Sequence, residues 1–97
     1  TSGLVIKSFG DKESEKIWNG IRSKKLPNEI QDVARRKLRI INNAQNVNDL
    51  RIPPAKRLEK LKGERQEYYS LRINNQWRII FKWINDDAYD IRIVDYH

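Results

Sequence analysis

The sequence predicts an α+β fold, in which N-terminal helices pack on a small, mostly antiparallel sheet that ends in a β-meander. The first supporting observation is an amphipathic helical pattern in residues 27–44. The second is a set of three strand-like runs in residues 68–97, which also hold seven of the nine aromatic residues. The helix and the meander each have one apolar face, so the simplest arrangement buries these two faces against each other.

The N-terminal part predicts one strand and two helices. Residues 4–9 (LVIKSF) are apolar and β-branched, which is typical of a strand. Residues 11–20 place acidic side chains early and Gly20 at the end, as a short helix does. In residues 27–44, Pro27 suits a first helical turn. The apolar positions of this helix recur at spacings of three and four: Ile30, Val33, Ala34, Leu38 and Ile41.

The middle of the chain has less regular structure. Residues 46–50 predict one further helical turn. Pro53 and Pro54 exclude both a helix and a central strand from residues 51–57. Residues 58–65 then predict a short strand that runs into a turn at Gly63.

The meander predicts its own register. Turn-forming residues occupy 74–76 and 85–87, and three-residue loops at both bends give one continuous apolar face. Two-residue loops would place Leu71 opposite Arg78 and disrupt that face. The predicted apolar pairs are Tyr69–Phe81, Leu71–Ile79, Ile73–Trp77, Trp83–Tyr89, Phe81–Ile91 and Ile79–Ile93. The predicted pairs on the other face are Arg72–Arg78, Arg78–Val94 and Lys82–Asp90, with Tyr96 diagonal to Arg78.

Composition limits the classes of function. The 97 residues predict a single domain, 1–97, and we expect Thr1–Gly3 to be residues left from cloning. There is no cysteine and only one histidine, so we expect no disulfide, no metal site and no cofactor. No apolar run approaches the ~20 residues that span a bilayer. An intracellular, cytoplasmic protein without membrane contact is therefore expected.

Positive charge is concentrated in one part of the chain. The formal net charge is +7, and residues 21–65 hold 13 basic and five acidic residues. Such a segment suggests a polyanionic partner, usually nucleic acid. The alternative is a solvated helix face that keeps the protein in solution.

Two groups of polar residues are candidates for a site. Arg72 and Arg78 repel each other across neighbouring strands unless an anion binds between them or both extend into solvent. The chain ends in Asp95, Tyr96 and His97, which is either a loose tail or a set of proton-transfer groups beside the arginines. Lys60, Lys62 and Arg65 would widen a phosphate site, and Tyr68 and Tyr96 would stack on unpaired bases.

Several motifs resemble the HigB toxins, a branch of the RelE/ParE superfamily. These are IKSF, RLEKLKG, YSLRINNQWRIIFKW and DAYDIRIVDYH, and the similarity spans residues 5–97. The resemblance implies a RelE-like domain and a type II toxin that cuts mRNA in the ribosomal A site without metal. It also implies a helix-turn-helix, HigA-like antitoxin encoded beside the toxin.

The resemblance also implies roles for individual residues. Asp95, Tyr96 and His97 match the acid, aromatic and histidine that close the family's active site. Arg78 matches its phosphate clamp and Lys62 the lysine near the scissile phosphate. Some relatives have a second histidine where Glu59 stands, so we assign His97 as general acid and leave the base open between Glu59, Asp95 and Tyr96. The RNA-binding candidates are Arg57, Lys60, Arg65, Tyr68 and Arg72.

Two rival functions remain at this point. One is a toxin of the same fold that acts on DNA gyrase, against which the terminal acid–aromatic–histidine set argues. The other is a module that binds nucleic acid or antitoxin and has lost catalysis, which the missing second histidine favours.

Overall fold

Two helices pack on one side of a four-stranded sheet in the computed structural model, which describes residues 4–51, 58–63 and 67–95. The helices are α1 (Lys12–Trp18) and α2 (Asn28–Asn43), and a 3-10 helix (Val47–Arg51) follows. The strands are β1 (Leu58–Lys60), β2 (Tyr68–Arg72), β3 (Trp77–Ile84) and β4 (Asp87–Asp95), and each pairs antiparallel with the next. The predicted α+β fold is confirmed. Within the described residues, no helix is long and apolar enough to cross a membrane.

Helix α1 is short, and the residues at its two ends stabilise it. Asp11 caps it, because its carboxylate accepts the backbone N–H of Ser14 at 2.7 Å. Gly20, with φ of 80°, follows the last turn in the left-handed conformation that favours glycine. Buried Ile17 and the Ser14 hydroxyl face the sheet, and that hydroxyl accepts the N–H of Ile93 at 2.8 Å. The bond from Ile93 to the Ser14 hydroxyl docks α1 on β4.

Helix α2 supplies the helical half of the core. Its buried side chains include Ile30, Ala34, Leu38 and Ile41, as the spacing predicted, whereas Val33 is only half-buried. Gln31 is also buried and holds the preceding loop. Its amide donates to the carbonyl oxygens of Ser23 and Leu26 and accepts the Ser23 N–H, at 2.8 to 3.0 Å. These bonds satisfy a polar group that would otherwise be costly to bury.

The segment 4–9 does not form the predicted strand. It makes two isolated parallel bridges to β4, Ile6 with Ala88 and Phe9 with Ile91. Between the bridges, the N–H of Asp90 is bonded to the Ser8 hydroxyl at 2.8 Å instead of to a carbonyl. The ladder is therefore interrupted, although the segment still runs beside the edge of β4.

The first bend of the meander matches the prediction. Leu71 pairs with Ile79, Tyr69 with Phe81, and the Ile73 N–H donates to the carbonyl of Trp77 at 2.9 Å. The Asn74 carboxamide accepts the N–H groups of Gln76 and Trp77 at 2.8 Å each, which closes the turn.

The predicted three-residue loop at the second bend is wrong. Ile84 pairs with Asp87, and the two residues between them, Asn85 and Asp86, have φ of 51° and 65°. Asn and Asp tolerate this left-handed conformation, so a two-residue turn is possible. Trp83 consequently faces Ala88 instead of Tyr89, and Lys82 faces Tyr89 instead of Asp90.

A β-bulge then restores the predicted register. The pairing shifts by one residue between Ile80 and Lys82, and on β4 Asp90 has φ of 55°. The extra residue returns Ile93 to its place opposite Ile79, as predicted. The bulge is thus the physical compensation for the shorter turn, because without it every later side chain of β4 would point to the wrong face.

Candidate active site

The sheet has one face turned away from the helices, which we call the open face. Leu71, Ile79 and Phe81 point into the core with the side chains of α2, and strand alternation sends their neighbours to the other side. Glu59 of β1 joins this side, since it pairs with Ser70. The open face otherwise consists of Tyr68, Ser70, Arg72, Arg78, Ile80, Lys82, Ile84, Asp87, Tyr89, Arg92 and Val94, of which Ser70 and Ile80 are buried.

Arg72 and Arg78 lie directly opposite each other on the open face, as the register predicted. Residues of the first bend position both guanidinium groups. Arg78 Nη1 donates to the carbonyl oxygen of Asn74 at 2.6 Å, and Arg72 Nη2 donates to the Asn75 carboxamide. Both side chains are half-buried. Two cations held side by side would bind an anion with two planar hydrogen-bonding groups, a geometry that suits phosphate.

Strand β4 ends beside this pair. Val94 pairs with Arg78 and Asp95 with Trp77, and the Asp95 carboxylate accepts the Gln76 amide at 3.1 Å. Asp95 is exposed, so its carboxylate is accessible at the end of the sheet. Tyr96 and His97 lie outside the described residues.

The candidate site residues Glu59 and Lys62 lie on or next to edge strand β1, at different positions along the sheet. Glu59 is exposed and lies two residues along the strands from the Arg72 position. The Leu61 N–H donates to the carbonyl of Tyr68 at 2.9 Å, so Lys62 leaves β1 near the Tyr68 end of β2. With about 3.4 Å per residue, the Tyr68 and Arg72 ends of β2 are roughly 14 Å apart. The described backbone does not bring Lys62 and Arg78 to one point.

Lys60 lies on the helix side of the sheet. Its ammonium group is 4.7 Å from the centre of the Tyr69 ring, and Tyr69 points away from the open face. This cation–π contact occupies the side chain, which the sequence had suggested for RNA binding. The other RNA-binding candidates of this region, Arg57 and Arg65, lie outside the described residues.

A second polar cluster lies at the Tyr68 end of the open face. The Tyr68 hydroxyl donates to the Asp90 carboxylate, and Arg92 pairs with the same carboxylate at 3.4 Å. This hydrogen bond, with partial burial and the charge of Asp90, raises the pKa of Tyr68 above its usual value. Lys82 lies over the Tyr68 ring at 5.4 Å and pairs with Glu67 at 3.3 Å.

The sequence did not identify Arg92 as part of a site, and it paired Asp90 with the wrong partner. Both failures of the sequence analysis have the same cause, because the bulge turns the Asp90 side chain towards Tyr68 and Arg92. Gly10 leaves room for these two side chains, because a Cβ at Gly10 would overlap Arg92 Nε and Asp90 Oδ1. A signal was nevertheless present, since Arg92 and Val94 alternate with the core residues Ile91 and Ile93.

The open face carries charges of both signs. Arg72, Arg78, Lys82 and Arg92 share it with the carboxylates of Glu59, Asp87 and Asp90, and Glu67 pairs with Lys82. Its positive charge is therefore concentrated at the Arg72–Arg78 end. Among residues 4–51, 58–63 and 67–95, no group of three acidic or histidine side chains is arranged to hold a metal ion. The geometry suits a phosphate backbone that crosses the strands.

Comparisons with known proteins give a consistent family. A family model described as the RelE-like toxin of type II toxin-antitoxin system HigB matches residues 7–97. Toxin HigB-1 of Vibrio cholerae is 40% identical over 81 residues, which cover 82% of this chain and 85% of that protein. Endoribonuclease HigB of Proteus vulgaris is 33% identical over 93 residues, which cover 96% of this chain and 100% of that protein. The chain therefore belongs to the HigB-like family of RelE-like toxins, the toxin components of type II toxin–antitoxin systems.

Proposed function

We propose that this toxin is a cytoplasmic, ribosome-dependent endoribonuclease that cuts mRNA in the A site by metal-free acid–base chemistry. The observation that carries the proposal is the Arg72–Arg78 pair, which lies next to the strand end that leads through Asp95 to Tyr96 and His97. Its relative in Proteus vulgaris is named an endoribonuclease. A cationic clamp and proton-transfer groups at one end of a sheet are what RNA cleavage without a metal requires.

The chemistry is an internal transfer within the RNA. The 2′-hydroxyl loses its proton to a base and forms a bond to the neighbouring phosphorus. The bond from phosphorus to the 5′-oxygen breaks, and that oxygen takes a proton from the general acid. His97 is the acid, Arg78 and Arg72 stabilise the negative charge on the phosphorane, and the base is Glu59, Asp95 or Tyr96.

The remaining cations would hold the message on either side of the cut. In this proposal, the Arg72–Arg78 pair binds the scissile phosphate. Arg92 and Lys82 bind the RNA backbone further along the open face, and Lys62 approaches it from the edge strand. Tyr68 offers its ring to a base, although Lys82 already covers one side of that ring.

The test is to map mRNA ends after the purified toxin, free of antitoxin, is added to translating ribosomes. The proposal predicts cuts within A-site codons that disappear with His97→Ala and persist with Lys12→Ala, a change on the exposed surface of α1. Naked RNA should be cut little, because the ribosome supplies the rigid orientation of the substrate.

Three other outcomes would contradict the proposal in whole or in part. Intact message together with inhibited DNA supercoiling would indicate a gyrase toxin. Intact message without any effect on supercoiling would indicate a binding module that has lost catalysis. Fast cleavage of naked RNA would retain the nuclease and remove its dependence on the ribosome.

A further inference from the structure

A groove runs along the flank of α2, on the helix side of the sheet. Val33, Arg36, Lys37 and Ile40 stand at i, i+3, i+4 and i+7, so they form one stripe of the helix. Ile73, which follows β2, closes the other side, and the hollow between them measures about 420 Å³. This stripe lies beside the core stripe of α2, at the edge of the buried surface.

The floor of the groove is aliphatic. Ile40 and Ile73 are half-buried and also pack against the core. Val33 is half-buried too. Three partly exposed aliphatic side chains around one hollow form a contiguous apolar patch, which is the kind of surface that a partner covers.

The rim of the groove is basic. Arg36 is exposed at its edge and Lys37 is half-buried. On the other side of Arg36, a second hollow of about 170 Å³ is lined by Asp32, Arg35, Arg36 and Arg39. Among the described residues that line this hollow, the one acid is Asp32, which lies 3.6 Å from Arg22. Arg36 therefore stands between two hollows in a positive field.

We propose that this groove docks an acidic, amphipathic segment of the antitoxin. Apolar side chains of that segment would fill the hollow above Val33 and Ile40, and its Asp or Glu residues would pair with Arg36 and Lys37. RNA suits the surface less well, because none of the described side chains that line the groove is aromatic, so they offer no ring on which a base could stack. The inference depends on the antitoxin partnership of the family and not on which reaction the toxin catalyses.

The location has a consequence for inhibition. The groove faces the helix side, whereas Arg72 and Arg78 point to the open face. A segment bound here leaves those arginines uncovered, so it would anchor the antitoxin while another part of that protein, or its bulk, keeps the toxin off the ribosome.

The test measures the affinity of the complete toxin for its antitoxin by titration calorimetry. Arg36→Glu/Lys37→Glu should weaken binding at least tenfold in low salt, because it reverses the charge of the rim. Val33→Gln should weaken it about fivefold at any salt concentration, since it places a polar group on the apolar floor. Lys7→Glu/Lys12→Glu makes the same charge change on exposed residues of the N-terminal part and should stay within twofold of the unchanged protein.

Two results would overturn the inference. One is an antitoxin affinity that neither groove variant changes. The other is a loss of ribosome binding by Arg36→Glu/Lys37→Glu with unchanged antitoxin affinity, which would assign the surface to RNA. Thermal melts of all variants exclude unfolding as the cause. Cleavage of mRNA by Arg36→Glu/Lys37→Glu should persist, so failure of the nuclease proposal and failure of this one are distinguishable.

Discussion

The Tyr68 hydroxyl shows how one residue contributes to the hydrogen bonding of the open face. It donates to the Asp90 carboxylate, which also accepts from Arg92. Because the protonated phenol is the form that donates, the bond raises the pKa of Tyr68 above its usual 10.0. Arg92 offsets the negative charge of the same carboxylate, which reduces its repulsion of a phosphate backbone.

Tyr68→Phe therefore gives a pH-dependent prediction. The folded state favours the protonated phenol, so the stability that the bond contributes is present below pH 10.0 and is lost as the pH rises through the raised pKa of the folded protein. Urea unfolding should show that the unchanged protein is more stable than Tyr68→Phe at neutral pH, with a difference that shrinks above pH 10.0. A difference that does not vary with pH would contradict the role of this bond.

At the scale of elements, the sequence predicted α2 and the first hairpin correctly, because both are fixed by local spacing. Apolar residues three and four apart specify the helix, and Asn74 specifies the turn. The second hairpin could not be predicted, since residues 85–87 allow turns of two or three residues. The choice depends on a bulge at Asp90, whose positive φ has no signature in the sequence.

The same contrast applies to the candidate site. The Arg72–Arg78 pair followed directly from the register of the first hairpin. The cluster of Tyr68, Asp90 and Arg92 depends on the bulge and on the nearby Gly10, which are tertiary features. Lys60 lies on the helix side because the edge strand turns it towards Tyr69, and the alternation of three residues is too short to predict a face.

Gly10→Ala tests how the N-terminal segment supports the open face. The added methyl group would overlap Arg92 and Asp90, so we expect the Arg92–Asp90 pair to move and the free energy of unfolding to fall by about 1–3 kcal/mol. Ribosome binding should weaken with it. Arg92→Ala in the same chain should relieve most of this destabilisation, which a double-mutant cycle measures. An unchanged stability of Gly10→Ala would mean that this close approach does not matter.

At the scale of the whole molecule, positive charge lies on both sides of the sheet. Arg35, Arg36 and Arg39 belong to α2 on one side, and the arginines of the open face lie on the other. Two basic surfaces that face opposite ways give two acidic partners separate contact surfaces. The chain has a formal net charge of +7, and no single surface carries all of it.

Ribosome binding should weaken steeply as salt rises, because counterions leave the RNA when the toxin binds. Removing one side chain that binds a phosphate should reduce the slope of log affinity against log salt by roughly 0.7–0.9. Arg72→Ala/Arg78→Ala is expected to lower this slope, whereas Arg36→Glu/Lys37→Glu should leave it unchanged. A flat salt response of the unchanged protein would show that its positive charge does not contact RNA.

The central claim is that the open face breaks an RNA linkage with the arginine pair as its charge clamp. The most direct measurement is the single-turnover rate of mRNA cleavage on translating ribosomes, compared between Arg78→Ala and Lys12→Ala. We expect Arg78→Ala to cut about 100-fold more slowly or worse, because a positioned charge donor is removed, while Lys12→Ala cuts at the normal rate. Equal rates for the two variants, with both proteins folded and bound to the ribosome, would contradict the account.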